Sequence, residues 1–163
     1  MRRRAAALSA ALLLTLAAGC STNDEETLER PTDAAERDSE QVATCEGFFE
    51  GTGTPLAERA EAARVALESG QVVDAATYTE VNALEQRLRE LSRDAHPEMV
   101  PVLAEVAAPF TAAVTAVNEA GEQEVPEGEE PPFPDLTTID VTEAAAAQGT
   151  LTEMCSDAGY EAP

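Results

Sequence analysis

The side chains that could do chemistry in this 163-residue chain are three cysteines, one histidine and a large excess of carboxylates. Cys20, Cys45 and Cys155 stand far apart with no C-x-x-C spacing, and His96 is the lone imidazole. A closed zinc site needs four such ligands, so these residues cannot build one unaided. A hydrolytic triad would have to use His96, yet the chain has no G-x-S-x-G elbow and no strand to present a nucleophile. Next to Pro97 at a helix end, His96 is better explained by favourable interaction with the helix carboxyl terminus. The 32 acidic residues could pair as glycosidases require, but there is no tryptophan to stack on a sugar. Gly51-Thr52-Gly53 lacks the third glycine and the preceding strand of a dinucleotide loop. The D-x-D-x-D-G offsets of a calcium loop are also missing, which leaves only weak, nonspecific binding of divalent cations. The expectation is a protein that is not an enzyme, with no cofactor and no dedicated metal site.

Charge narrows the partners. The formal net charge is −22, there is no lysine, and residues 97–163 carry no basic residue at all. Such a chain is repelled by phosphate backbones, so nucleic-acid binding is excluded as a function class. Cationic partners or metal ions are electrostatically permitted, although solubility accounts for the acidity equally well.

The first twenty residues carry the sharpest signal. Arg2, Arg3 and Arg4 precede an apolar run from Ala5 to Ala18, and Leu16-Ala17-Ala18-Gly19 leads directly into Cys20. The run suits the secretion machinery and is too short to span a bilayer, which takes roughly 20 apolar residues. Small residues before a cysteine resemble the lipobox of bacterial lipoproteins, with Leu16 one position further from the cysteine than in the commonest form. The resemblance implies a signal peptide over 1–19, cleavage before Cys20, a diacylglyceryl thioether on its sulfur and acylation of the new amino terminus. Two or more chains anchor durably, since each buried methylene contributes about 0.8 kcal/mol. The expected location is the outer face of the cell membrane. With Cys20 committed to lipid, Cys45 and Cys155 remain as an even pair in an oxidising compartment and are expected to form a disulfide.

Residues 20–38 are polar and acidic, with Leu28 as the exception, and read as a disordered tether. The domain proper is expected over 39–163, and its signals are helical. Asp38 with Gln41 resembles a capping box, followed by Val42, Cys45 and Phe48 or Phe49 on one face of a short helix ending at Gly51. Thr54-Pro55 opens a second helix, with Leu56, Ala60, Ala63 and Leu67 inward and Gly70 as its stop. Thr77 and Glu80 form another box before Val81, Leu84, Leu88 and Leu91, which end ahead of His96-Pro97. The outer face of that helix, with Glu85, Arg87, Arg89, Glu90 and Arg93, reads as ordinary solvated charge.

Met99 to Val117 carries one charge, Glu105, and reads as a helix buried nearly all round and kinked at Pro109. Its small residues Ala107, Ala108, Ala112, Ala113 and Ala116 could leave a shallow groove for an apolar ligand or a partner's helix. A long acidic Pro/Gly loop is expected over 118–138, in which Phe133 docks on the protein's own helices or on a partner. The last helix starts at Asp140 with Glu143 and keeps Val141, Ala144, Ala147, Leu151, Met154 and Cys155 apolar. No segment alternates with period two, so the expected fold is all-α: an antiparallel bundle of four main helices plus a short leading one.

This layout, with Cys20, Cys45 and Cys155 as its specific positions, resembles the small alanine-rich lipoproteins of actinobacteria, which are helical and mostly without assigned function. The resemblance implies a fold and a location and no activity. The expected function is an accessory module, held to the membrane through Cys20, that binds another envelope protein. Its candidate surface is Val106, Pro109 and Phe110, with Phe133 from the acidic loop. The rival reading is a carrier that holds a small molecule or cation inside the bundle. A closed cavity around Pro109 would favour the carrier, and an exposed apolar stripe the interaction module.

Overall fold

The computed structural model describes residues 31–161 apart from 127 and 130, with side chains from residue 39 onward. The expected signal peptide, Cys20 and residues 20–30 of the expected tether lie outside the described residues. Five helices and no strands make up the described part: α1 Pro31–Phe49, α2 Leu56–Glu68, α3 Ala75–Asp94, α4 Val100–Gly121 and α5 Thr142–Asp157. The protein is all-α.

Helix α1 starts eight residues earlier than the domain boundary expected at 39. Pro31 suits a first helical position, and Ala34, Ala35, Glu36 and Arg37 are good helix formers. Once the apolar face at Cys45 and Phe48 fixes the helix, extending it backwards adds one backbone hydrogen bond per residue. Asp38 consequently lies inside a helix and not at its start.

The other helix ends show where local chemistry prevails. Asp74, not Thr77, is the N-cap of α3: its Oδ1 accepts from the Thr77 backbone N–H at 2.9 Å, while Thr77 Oγ1 accepts from the Asp74 N–H. Thr77 thus occupies the third helical position, and Glu80 completes no box. Pro55 sits one place before the start of α2. At the start of α5, Asp140 Oδ1 accepts from the Thr142 N–H at 2.9 Å, and no side chain caps through Glu143.

Gly70 and Gly159 end α2 and α5 in the left-handed region, at φ +67° and +83°. In both, the next residue donates back into the helix: Gln71 to the Ala66 carbonyl at 2.8 Å and Tyr160 to the Cys155 carbonyl at 2.9 Å. These paired bonds are Schellman motifs, and they turn the chain sharply.

Helix α4 is the centre of the packing, lying against both α3 and α5, while α2 packs on α3 and α1 on α2, α3 and α5. The core joins Cys45 and Phe48 of α1, Leu67 of α2, Leu84 and Leu88 of α3, Leu103, Val106 and Phe110 of α4, and Leu151 of α5. The expected stripes are largely the ones buried, with Leu91 and Met154 half-exposed. Helices α1 and α3 approach closely at Gly47, where a Cβ would come within 2.7 Å of Leu91 Cδ1.

The disulfide joins Cys45 to Cys155, with Cα atoms 5.7 Å apart and a sequence separation of 110. Both sulfur-bearing residues are fully buried. Beside it, Tyr160 stacks on Phe49 with centroids 6.0 Å apart and donates its hydroxyl to Glu50 Oε1 at 2.8 Å. Burial, that bond and the negative charges of Glu50 and Glu46 push the Tyr160 hydroxyl up to about 12.

Candidate functional site

The small residues of α4 build the site. Leu103, Val106, Pro109, Phe110 and Ala113 face the core, as the 3.6-residue period dictates. The opposite side, with Ala104, Ala108, Thr111, Ala112 and Thr115, is exposed. Helix α4 is therefore not buried all round. The helix runs through Pro109 without a break. The Glu105 carbonyl that Pro109 cannot serve belongs to an exposed residue, where water can take its place.

A groove of about 830 Å³ opens along this side between α3 and α4. Its apolar bed comes from Leu88, Leu103 and the alanines of α4, which are too small to fill the space between the helices. It is a surface channel, since most of the α4 residues along it, Ala104, Ala108, Thr111, Ala112, Thr115 and Glu119, remain exposed. Four charged residues line it: Glu85, Arg89, Arg93 and Glu119.

Glu85 is 3% exposed, contrary to its reading as solvated charge, and pairs with Arg89 one turn on. The pairing follows from the i, i+4 spacing, and burial of a carboxylate requires such a partner. Arg87 pairs with Glu90, Arg59 with Glu80 and Arg64 with Glu68. Arg93 and Glu119 have no ion-pair partner among the described residues. The negative charge of Glu85 and, more strongly, burial raise the Tyr78 hydroxyl above its ordinary value.

The candidate surface residues read from the sequence separate. Val106, Pro109 and Phe110 are core residues and offer nothing to a partner. Phe133 is half-buried and meets Tyr78 of α3 edge-on at 6.2 Å, so it docks on the protein's own helices. The acidic connection is shifted along the chain to 122–141, because α4 continues to Gly121 and α5 begins only at Thr142. Its second half is pinned by buried Leu136 and by Asp135, whose Oδ1 accepts from the Thr137 hydroxyl and N–H. Those bonds hold the Asp135 carboxylate below its ordinary value.

Of the alanines picked out in the sequence, Ala107, Ala108, Ala112 and Ala116 line the groove, and Ala113 is buried. The residues that sequence reasoning passed over are Arg89 and Arg93. Their signal was sign: two arginines one turn apart in a strongly acidic chain, just before the apolar helix.

His96 is buried and structural. Its N–H donates to Thr44 Oγ1 at 3.0 Å, Thr44 donates in turn to the Glu40 carbonyl at 2.9 Å, and the Glu98 N–H faces His96 Nδ1 at 3.4 Å. The imidazole accepts from the turn that precedes α4 instead of serving the carbonyls of α3. Among the described residues, no three Cys, His, Asp or Glu come together as a metal site. Helix α4 is also the only helix among them long and apolar enough to cross a membrane, yet it is packed on α3 and α5 and touches α2. No protein-family model matches the chain, and no curated protein or solved structure matches it.

Proposed function

We propose that this protein is a lipid-anchored envelope module that binds a protein partner through the α3–α4 groove and catalyses no reaction. Cleavage before Cys20 and acylation of its sulfur hold it to the outer face of the membrane. The helices form an antiparallel bundle of four, α2 to α5, with α1 leading into it from the tether. The observation that carries this reading is the open groove. Its bed is apolar and its floor helix presents alanine and threonine, a surface that admits a second helix at close range. A carrier of small molecules would enclose its ligand, whereas Ala104, Ala108, Thr111, Ala112, Thr115 and Glu119 along this channel are exposed.

The test is crosslinking in the native host, comparing the natural protein with Ala108→Glu in the groove and Cys20→Ala at the anchor. A protein crosslinked to the natural chain and lost with Ala108→Glu supports the reading. Capture that ignores Ala108→Glu refutes it, as does release of the unaltered protein by washing without detergent.

A further inference from the structure

We infer that the occupant of the α3–α4 groove is the same groove of a second copy, with the two α4 helices packed antiparallel about a two-fold axis. This rests on the functional reading above and names its partner.

Charge complementarity points to it. Helices α3 and α4 pack on each other and are joined by only five residues, 95–99, so they run in opposite directions. The end of α3, with Arg93, therefore lies beside the start of α4, near Ala104. Glu119 lies in the last turn of α4, about 22 Å further along at 1.5 Å per residue. The groove is thus positive at one end and negative at the other, and both charges lack a partner among the described residues.

An isologous pair exchanges the ends. Centred on Thr111 and Ala112, it sets Arg93 of each copy against Glu119 of the other, twice per dimer. The last turn of α4 has an acid and no base, the wrong sign for the negative end of a helix dipole. The incoming arginine corrects this.

The residues at the centre, Ala108, Thr111, Ala112 and Thr115, are small enough for two helices to approach closely. The groove also holds two acids and two bases, so it is locally neutral in a chain of net charge −22. Exposed charges elsewhere are screened within about 8 Å at physiological salt. A neutral, apolar face is where two such chains can meet.

The test uses the full chain in its native membranes with single cysteines at exposed groove positions. At the axis, Ala112→Cys brings two thiols together, so mild oxidation should give a reducible product of twice the monomer mass. Ala104→Cys lies away from the axis and should give none. In the Ala112→Cys background, Arg93→Glu should lower the product about fivefold, and Arg93→Glu with Glu119→Arg should restore it. Equal products from Ala112→Cys and Ala104→Cys, or indifference to the charge reversal, would overturn this register. A crosslink from Ala112→Cys, by a thiol-to-amine reagent, to a product of any other mass would overturn the second copy while keeping the interaction module. No crosslink to Ala112→Cys by either route would remove both.

Discussion

Opening the Cys45–Cys155 bond is the perturbation with the largest calculable effect. The bridge spans 110 residues, for which chain-entropy reasoning gives a stabilisation of about 4.8 kcal/mol. Small domains are stable by about 5–15 kcal/mol in total, so this is a third or more of what holds the fold. With an unfolding entropy of about 2.1 cal/mol/K per residue over the described residues, the loss corresponds to roughly 18 °C in Tm. The structure adds a kinetic condition. Cys45 is 0% and Cys155 1% exposed, so no thiolate can reach either sulfur until the helices part. Calorimetry of the oxidised protein against protein reduced in denaturant and refolded under reductant measures the first part. Adding dithiothreitol to the native protein measures the second, and reduction should be slow until urea speeds opening. A Tm difference under about 5 °C, or rapid reduction without denaturant, would refute the assignment of the bridge as the main staple.

Three further outcomes follow from the helix ends. Tyr160→Phe removes the hydrogen bond to Glu50 and should lower stability by about 1 kcal/mol in urea unfolding. Because the folded Tyr160 ionises near 12, above its ordinary 10.0, that contribution is whole below pH 10 and fades as pH rises toward 12; ultraviolet titration should show a tyrosinate that appears late or only with unfolding and is missing from Tyr160→Phe. Gly70→Ala places a Cβ at φ +67° and 3.0 Å from Thr137 Cγ2, which should cost about 1–2 kcal/mol, whereas Gly121→Ala meets open space and should be neutral or slightly stabilising in the same assay. Asp74→Ala uncaps α3 and should lower Tm by roughly 4 °C at pH 7. The Thr77 backbone and side-chain bonds lower the Asp74 carboxyl from 3.8, so its contribution is present above pH 4 and vanishes as pH falls through the folded value; a mutant gap that persists in strong acid would contradict this.

Much of the fold was legible because periodicity is a local property. Val81, Leu84 and Leu88 recur at helical spacing, and any helix there must bury them together. Gly70 and the X-Pro pair His96-Pro97 end helices through backbone sterics alone. The pairing of Cys45 with Cys155 could be expected by counting once Cys20 was given another role. Each of these needs only neighbours in sequence or simple arithmetic.

What tertiary structure alone decided is which side of each helix has a neighbour. Met99 to Val117 is apolar on nearly every face, so its composition could not say that α3 and α5 cover one side and leave Ala104, Ala108 and Ala112 open. For the same reason Val106, Pro109 and Phe110 looked available and are core. Glu85 and Arg93 are equally charged in the sequence. One is buried under the ion pair with Arg89 and the other stands at the mouth of the groove, because burial depends on distances between helices that no local pattern encodes. Helix caps fall between the two cases: Thr77 was visible as a box residue, but the backbone geometry that makes Asp74 the cap and Thr77 the third helical residue belongs to the folded chain.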